Sequence, residues 1–345
     1  MERANLDWAN LGFGLVPTDF NVRYTWKDGV WSSPEVTRST DLVIPMAATA
    51  LHYGQALFEG MKALETVDGR VVVFRPTENG TRMARGARKL LMEPPPLELF
   101  VEGVTEAVRL NRRYVPPCES GAVLYIRPLL IGTGPRVGVG PADEYTFLVF
   151  VTPVGPYFTR GMRPIRVWLE EDVDRAAPNG VGDVKAAGNY AAGMRATAHA
   201  HEQGFDVVLH TDPRENKYID ECSAAIFFGI QSTGPDVKYI TPQSTSILAS
   251  VTNDSIMTVA RDLGLTVEHR PVEITELATF QEAGCCGTAT IVTPIGMVQW
   301  RERAFTFHEQ GKVAGPWCRK LYDELVGIQT ARIPDRHGWL HEVPR

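Results

Sequence analysis

Apolar and polar residues alternate along Phe20–Trp26, which predicts a strand, and Lys27-Asp28-Gly29 turns it back into a second short strand within residues 12–31. Trp31 to Pro45 is polar and reads as extended chain. Met61–Val67 and Arg70–Arg75 are apolar runs around Asp68-Gly69, a hairpin signal. From Glu78 to Leu91 the period becomes helical, and Pro94-Pro95-Pro96 stops it. Leu97–Asn111 repeats the helical pattern, with Leu97, Phe100, Val101, Val104, Ala107, Val108 and Leu110 at its apolar positions. Ala122–Leu130 and Tyr145–Val154 are apolar strands on either side of a Gly/Pro-rich loop, Gly132–Pro141. Two helices with several antiparallel strands make an α+β unit that ends near Phe158.

Beyond it, Ile165–Leu169 reads as a strand and a charged stretch follows. The expected division is residues 1–158 as a small domain, 159–174 as a linker and 175–345 as a larger domain. The larger domain opens on a helix over 186–203. Strands are expected at Asp206–His210, Lys217–Glu221, Ala224–Ile230, Lys238–Thr241 and Val267–Pro271. A helix at Asn253–Leu263 ends at Gly264, Glu273–Thr279 reads as another, and Gly287–Thr293 as one strand. A last amphipathic helix lies near Pro316–Val326.

Composition narrows the class. The chain has 345 residues, 44% hydrophobic and 22% charged, with a formal net charge of −6, so no clustered cationic surface for nucleic acid is expected. No apolar run approaches the roughly 18 residues needed to span a bilayer, and no targeting pattern opens the chain, so a cytoplasmic location is expected. Five cysteines, with no CxxC pair and no Cys/His metal spacing, read as reduced thiols; Cys285 and Cys286 read as small residues in a buried strand.

Lys185 lies in Gly-Val-Gly-Asp-Val-Lys-Ala-Ala-Gly-Asn-Tyr, residues 180–190, where nearly every neighbour is small. A lysine near a positive helix end, in a desolvated pocket, loses its proton readily, as a Schiff-base lysine must. The same spacing also suits a lysine that merely precedes a tightly packed small-residue helix. Gly132–Gly138 lacks the GxGxxG spacing, and Pro135 blocks the helix a nucleotide loop needs. Ser250-Val251-Thr252 precedes a helix and forms an anion site, and Gly287-Thr288-Ala289 exposes amides at a second turn. Arg82 can supply a fixed positive charge or belong to a solvated face with Arg85, Arg88 and Lys89. Glu221 ends a strand before a small, apolar run, a place where a carboxylate meets a cationic partner.

Six blocks in one order carry a resemblance: Leu-His-Tyr-Gly-Gln-Ala-Leu-Phe-Glu-Gly-Met-Lys-Ala, Leu-Tyr-Ile-Arg-Pro, Pro-Val-Gly-Pro-Tyr-Phe, Lys-Ala-Ala-Gly-Asn-Tyr, Val-Thr-Asn-Asp-Ser and Cys-Gly-Thr-Ala-Thr. Over residues 12 to 328 the chain resembles the branched-chain amino acid aminotransferases, fold type IV pyridoxal phosphate enzymes. The resemblance implies a D-amino acid aminotransferase-like fold, with a small α+β N-terminal domain and a larger C-terminal domain with a β-barrel-like core. It implies Lys185 as Schiff-base lysine and proton shuttle, Tyr190 on the cofactor's phenolic oxygen and Glu221 on its ring nitrogen. Arg82, Val251, Thr252 and Thr288 would hold the phosphate. Phe13, Tyr53, Phe58, Tyr125 and Tyr157 would line an apolar substrate pocket, Ala289 with Thr288 would meet the α-carboxylate, and Arg127 a glutamate γ-carboxylate. Val137, Val139 and Tyr53 match positions that reach a neighbouring subunit's site, which implies a homodimer.

The expected reaction is transamination of Leu, Ile and Val with 2-oxoglutarate, through a pyridoxamine phosphate form. The chain departs from the family pattern at Ser223-Ala224-Ala225-Ile226, losing a hydroxyl, and at Ala249, Ser250 and Asn253. Those departures leave open other amino or oxo acids, aromatic, Met-derived or specialised. A Cα epimerase, a lyase and a non-catalytic paralogue on the same scaffold are also open.

Overall fold

In the computed structural model, residues 2–155 and 162–345 are described. Tyr157 lies outside them. The chain packs as two compact units: Met1–Thr159 with Val184–Gly188 and Ile328–Arg345, and Arg160–Asp183 with Asn189–Gly327. The short segment with Lys185 and the chain's last residues thus pack with the first unit.

The first unit holds β1 (Asn21–Lys27), β2 (Val30–Trp31), β3 (Glu35–Thr37), α1 (Thr49–Tyr53), β4 (Ala56–Phe58), β5 (Met61–Glu65), β6 (Val71–Phe74), α2 (Pro76–Lys89), α3 (Leu97–Leu110), β7 (Val123–Gly132) and β8 (Glu144–Val154). They form an antiparallel sheet in the order β6-β5-β7-β8-β1-β2, with β3 on β1 and β4 on β7. A terminal strand, Leu340–Glu342, pairs antiparallel with β6. Asp28 (φ 52°) and Gly29 (φ 85°) close the first hairpin, as a two-residue turn with positive φ requires. α3 buries Phe100, Val104, Ala107 and Val108. Phe100 stacks on Phe147 at 5.6 Å, and Phe147 stacks on Tyr24 at 6.0 Å. A Cβ on Gly103 would stand 3.0 Å from the Tyr24 ring, so the glycine lets the helix approach. Burial pushes the Tyr24 phenol up to about 12.

The second unit contains β9 (Ile165–Glu170), α4 (Ala187–Ala192), α5 (Met194–Glu202), β10 (Val207–Thr211), β11 (Ile219–Cys222), β12 (Ile226–Thr233), β13 (Asp236–Pro242), α6 (Val251–Asp262), β14 (Thr266–Arg270), β15 (Glu282–Gly287), β16 (Ile291–Trp300), β17 (Arg303–Thr306) and α7 (Pro316–Gln329). Its mixed sheet runs β11-β10-β9-β16-β15-β12-β13-β14, with β17 on β16. β9 is parallel to both β10 and β16, and β13 to β14.

Three expectations change here. The helix over 186–203 is two helices that meet at Gly193. Glu273–Thr279 winds as a 3₁₀ turn over Ile274–Thr279, with a Glu273/Glu276 capping box. The strand at Gly287–Thr293 is the end of one strand, a turn at Thr288–Thr290 and the start of another. β15 is built of small residues because aromatic rings lie against it: a Cβ on Gly284 would stand 2.4 Å from the Phe228 ring.

Candidate active site

In the first unit, the segment around Lys185 is tied to β4. Lys185 O accepts from Phe58 N at 3.2 Å, and Ala186 bridges Leu57. Val184 packs so closely on α2 that a Cβ at Gly86 would stand 2.9 Å from it. This holds the Lys185 ammonium nitrogen 4.8 Å from the centre of the Phe58 ring. Arg127 approaches the same ring at 4.7 Å. It also donates to the Tyr125 hydroxyl at 3.3 Å, and Tyr125 meets Phe13 edge-on at 5.5 Å. Phe13, Phe58, Tyr125, Arg127 and Lys185 are thus one aromatic and cationic cluster. Gly60 makes room for it, since a Cβ there would fall 2.1 Å from the Tyr125 oxygen. Lys62 stands directly across the sheet from Tyr125, and burial pushes its ammonium down to about 7.

Arg82 has a partner that the sequence pattern did not signal. Its Nε donates to Glu59 Oε1 at 2.9 Å and its Nη2 to Oε2 at 2.6 Å, while Asn79 adds a bond to Oε2 at 2.8 Å. Glu59 is fully buried, so this fork fixes the plane of the guanidinium. Glu59 lies inside the Leu-Phe-Glu-Gly block but is far from Arg82 in sequence, and neither spacing nor periodicity links them. Elsewhere in this unit, the Tyr53 hydroxyl donates to Val137 O. Val137 and Val139 are exposed, 87% and 86%, beside the equally open Met46 at 90%.

The second unit carries the remaining candidates. Glu221 is buried at the end of β11, and its Oε1 lies 2.6 Å from Arg175 Nη2. The Ser250 hydroxyl accepts from Asn253 N at 3.1 Å and caps α6. α6 therefore begins at Val251, two residues before the expected start, so Val251 and Thr252 occupy its first turn, where amides have no intrahelical acceptor. Thr252 is buried there. Thr288 and Ala289 form the turn between β15 and β16, and the Thr290 hydroxyl next to them is buried without a hydrogen-bond partner. Tyr190 lies half-buried in α4. At the departing stretch, Ser223 N donates to Val208 O at 3.0 Å, and Ala225 closes a tight turn on Cys222.

Residues 56–298 match the family model described as amino-transferase class IV. A branched-chain-amino-acid aminotransferase from Haemophilus influenzae is 44% identical over 98% of this chain and 99% of that protein. One from Helicobacter pylori is 42% identical over 98% of each. Among solved structures, the branched-chain amino acid aminotransferase from Escherichia coli superposes with a TM-score of 0.74 at 25% identity, covering 94% of this chain and 100% of that one. Buried carboxylate, capped helix end and aromatic-flanked lysine thus sit in a chain that belongs to the class IV aminotransferase family.

Proposed function

We propose that this protein transfers amino groups between the branched-chain amino acids Leu, Ile and Val and 2-oxoglutarate, using pyridoxal 5'-phosphate. The observation that carries the reading is the buried Glu221 carboxylate, in the same unit as the capped amino end of α6. These groups fit the cofactor. A buried carboxylate suits a ring nitrogen that holds a proton, and first-turn amides with hydroxyls suit a phosphate. The Thr290 hydroxyl beside Thr288 and Ala289 is buried without a hydrogen-bond partner, a polar atom available to a phosphate.

When bound, the cofactor supplies an aldehyde that condenses with amines and a ring that draws electrons from the substrate's Cα. Lys185 would hold the cofactor through that aldehyde and, once freed by substrate, would serve as general base for the Cα proton and then as general acid. Tyr190 donates to the phenolic oxygen. Glu221 keeps the ring nitrogen protonated. Val251, Thr252, Thr288 and Arg82 hold the phosphate, with Glu59 setting the angle of Arg82. The cluster of Phe13, Phe58 and Tyr125 surrounds an aliphatic side chain. Arg127 meets a γ-carboxylate and Ala289 an α-carboxylate.

Exposed Val137, Val139 and Met46 support a homodimer in which Tyr53, Val137 and Val139 reach a second copy's site. Among the described residues no helix is long and apolar enough to cross a membrane, which is compatible with a cytoplasmic enzyme. The missing hydroxyl at Ala224–Ile226 favours, as a second reading, a specialised amino or oxo acid on the same scaffold. Borohydride reduction of the cofactor-loaded protein followed by peptide mass analysis tests the assignment. The phosphopyridoxyl group is expected on Lys185, and labelling of another lysine contradicts it.

A further inference from the structure

Arg175 has no role in the reading above, yet its side chain is only 10% exposed and lies against Glu221, itself 7% exposed. The nitrogen that meets Glu221 also donates to Gly182 O at 3.0 Å and to Ser246 O, so one guanidinium joins three separate stretches of the second unit. Those stretches are pressed together beneath it: a Cβ on Gly182 would stand 2.3 Å from Ser246 O. The Ser246 hydroxyl donates to Asp220, and Ser244 donates to the same carboxylate at 2.9 Å, so the residue before Glu221 is fixed as well. Arg175 Nε is buried without a hydrogen-bond partner.

The titratable groups around this pair, among the described residues, are Asp220, His210, Cys222 and Cys285. His210 is buried with Nδ1 3.3 Å from Val173 O, and burial, reinforced by the charge of Arg175, pushes it down to about 4. It is therefore neutral at pH 7. Cys222, hydrogen-bonded to Cys285 and buried, keeps its proton. Burial raises Asp220, opposed by the two serine hydroxyls and Arg175. Arg175 is thus the permanent cation of the group.

A carboxylate this buried takes up a proton when no cation faces it. A proton shared by Glu221 and a ring nitrogen is repelled by Arg175 more strongly at the carboxylate, which is nearer, than at the ring. We propose that Arg175 is a positioning residue for Glu221, fixing its carboxylate in place and keeping the shared proton on the cofactor's ring nitrogen. The proposal rests on the pyridoxal phosphate reading. Without Arg175 the proton moves from the ring nitrogen to a Glu221 oxygen, and the pair becomes neutral.

The test uses full-length protein loaded with pyridoxal phosphate labelled with ¹⁵N in the ring, in three forms: wild type, Arg175→Met and Arg175→Lys. Wild type is expected to give a pyridinium-like ¹⁵N shift. Arg175→Met should move it toward neutral pyridine and weaken cofactor binding at least about tenfold. Arg175→Lys should restore the pyridinium shift but bind the cofactor several-fold more weakly than wild type, because a flexible ammonium does not keep the guanidinium's fixed place between Glu221 and the two carbonyls. A pyridinium shift retained in Arg175→Met, even with lowered thermal stability, makes Arg175 structural only and overturns the proposal. Should Arg175→Met not fold, wild-type cofactor affinity in Arg175→Lys overturns it instead. Wild type that binds no cofactor at all defeats the functional reading and is distinguishable from either result.

Discussion

Among the described residues, each unit buries an arginine–glutamate pair, and the two pairs are built differently. Arg82 and Glu59 meet through two parallel bonds, 2.9 and 2.6 Å, with Asn79 on the same carboxylate. Arg175 meets Glu221 through one nitrogen and divides that nitrogen with two loop carbonyls. In the first pair the carboxylate is fully buried and serves to aim the guanidinium. In the second, on the reading proposed above, the guanidinium is the holder and the carboxylate is the group held for a ligand. A buried ion pair is weak support for stability, because desolvating both charges offsets much of their attraction. What each pair secures is direction.

Exchanging the two carboxylates for amides separates these roles. Glu221→Gln should lower kcat by roughly a hundredfold or more, since the proton on the ring nitrogen is no longer held. Glu59→Gln should weaken cofactor binding by about tenfold while kcat at saturating cofactor stays near wild type, because Arg82 is misaimed but the reacting atoms are untouched. Steady-state kinetics over a cofactor titration reads both. Matching profiles for the two variants would erase the distinction.

A smaller effect concerns pH. Folded His210 titrates at about 4, against 6.5 for an ordinary histidine. Between those values the unfolded chain binds a proton that the folded protein does not, so stability rises with pH across that window and is lost as pH falls from 6.5 towards 4. The full loss is roughly 3 kcal/mol. Urea unfolding of wild type and His210→Leu at pH 7 and pH 4.5 should show a steeper decline in wild type. Equal declines would mean that His210 does not supply it.

Local signals were legible where the cause is local. Asp28-Gly29 and Asp68-Gly69 announced hairpins because positive φ demands such residues, and Gly264 announced the end of α6. Lys185 and Tyr190 were legible as candidates through a motif block, and Glu221 through its place at a strand end. Glu59 and Arg175 were not, because nothing in spacing reports which guanidinium a buried carboxylate will meet across the fold. β15 was legible only as a buried strand at Cys285 and Cys286, and its bounds were not: Ala283, Gly284, Cys285 and Cys286 are small to fit the rings of β12, so no period of two survives. The strand Leu340–Glu342 exists only because β6 offers it an edge. Gly193 split one expected helix into two, a cost of glycine that periodicity alone underweights.

The most direct measurement is the half-reaction: mix the cofactor-loaded protein with single amino acids and follow loss of the lysine-bound cofactor's visible absorbance as pyridoxamine phosphate forms. Rapid conversion by Leu, Ile, Val and Glu, with little by other amino acids, is the predicted result. A protein that plainly carries the cofactor on Lys185 yet converts with none of the four would contradict the account and point to the Ala224–Ile226 stretch as the seat of a different specificity.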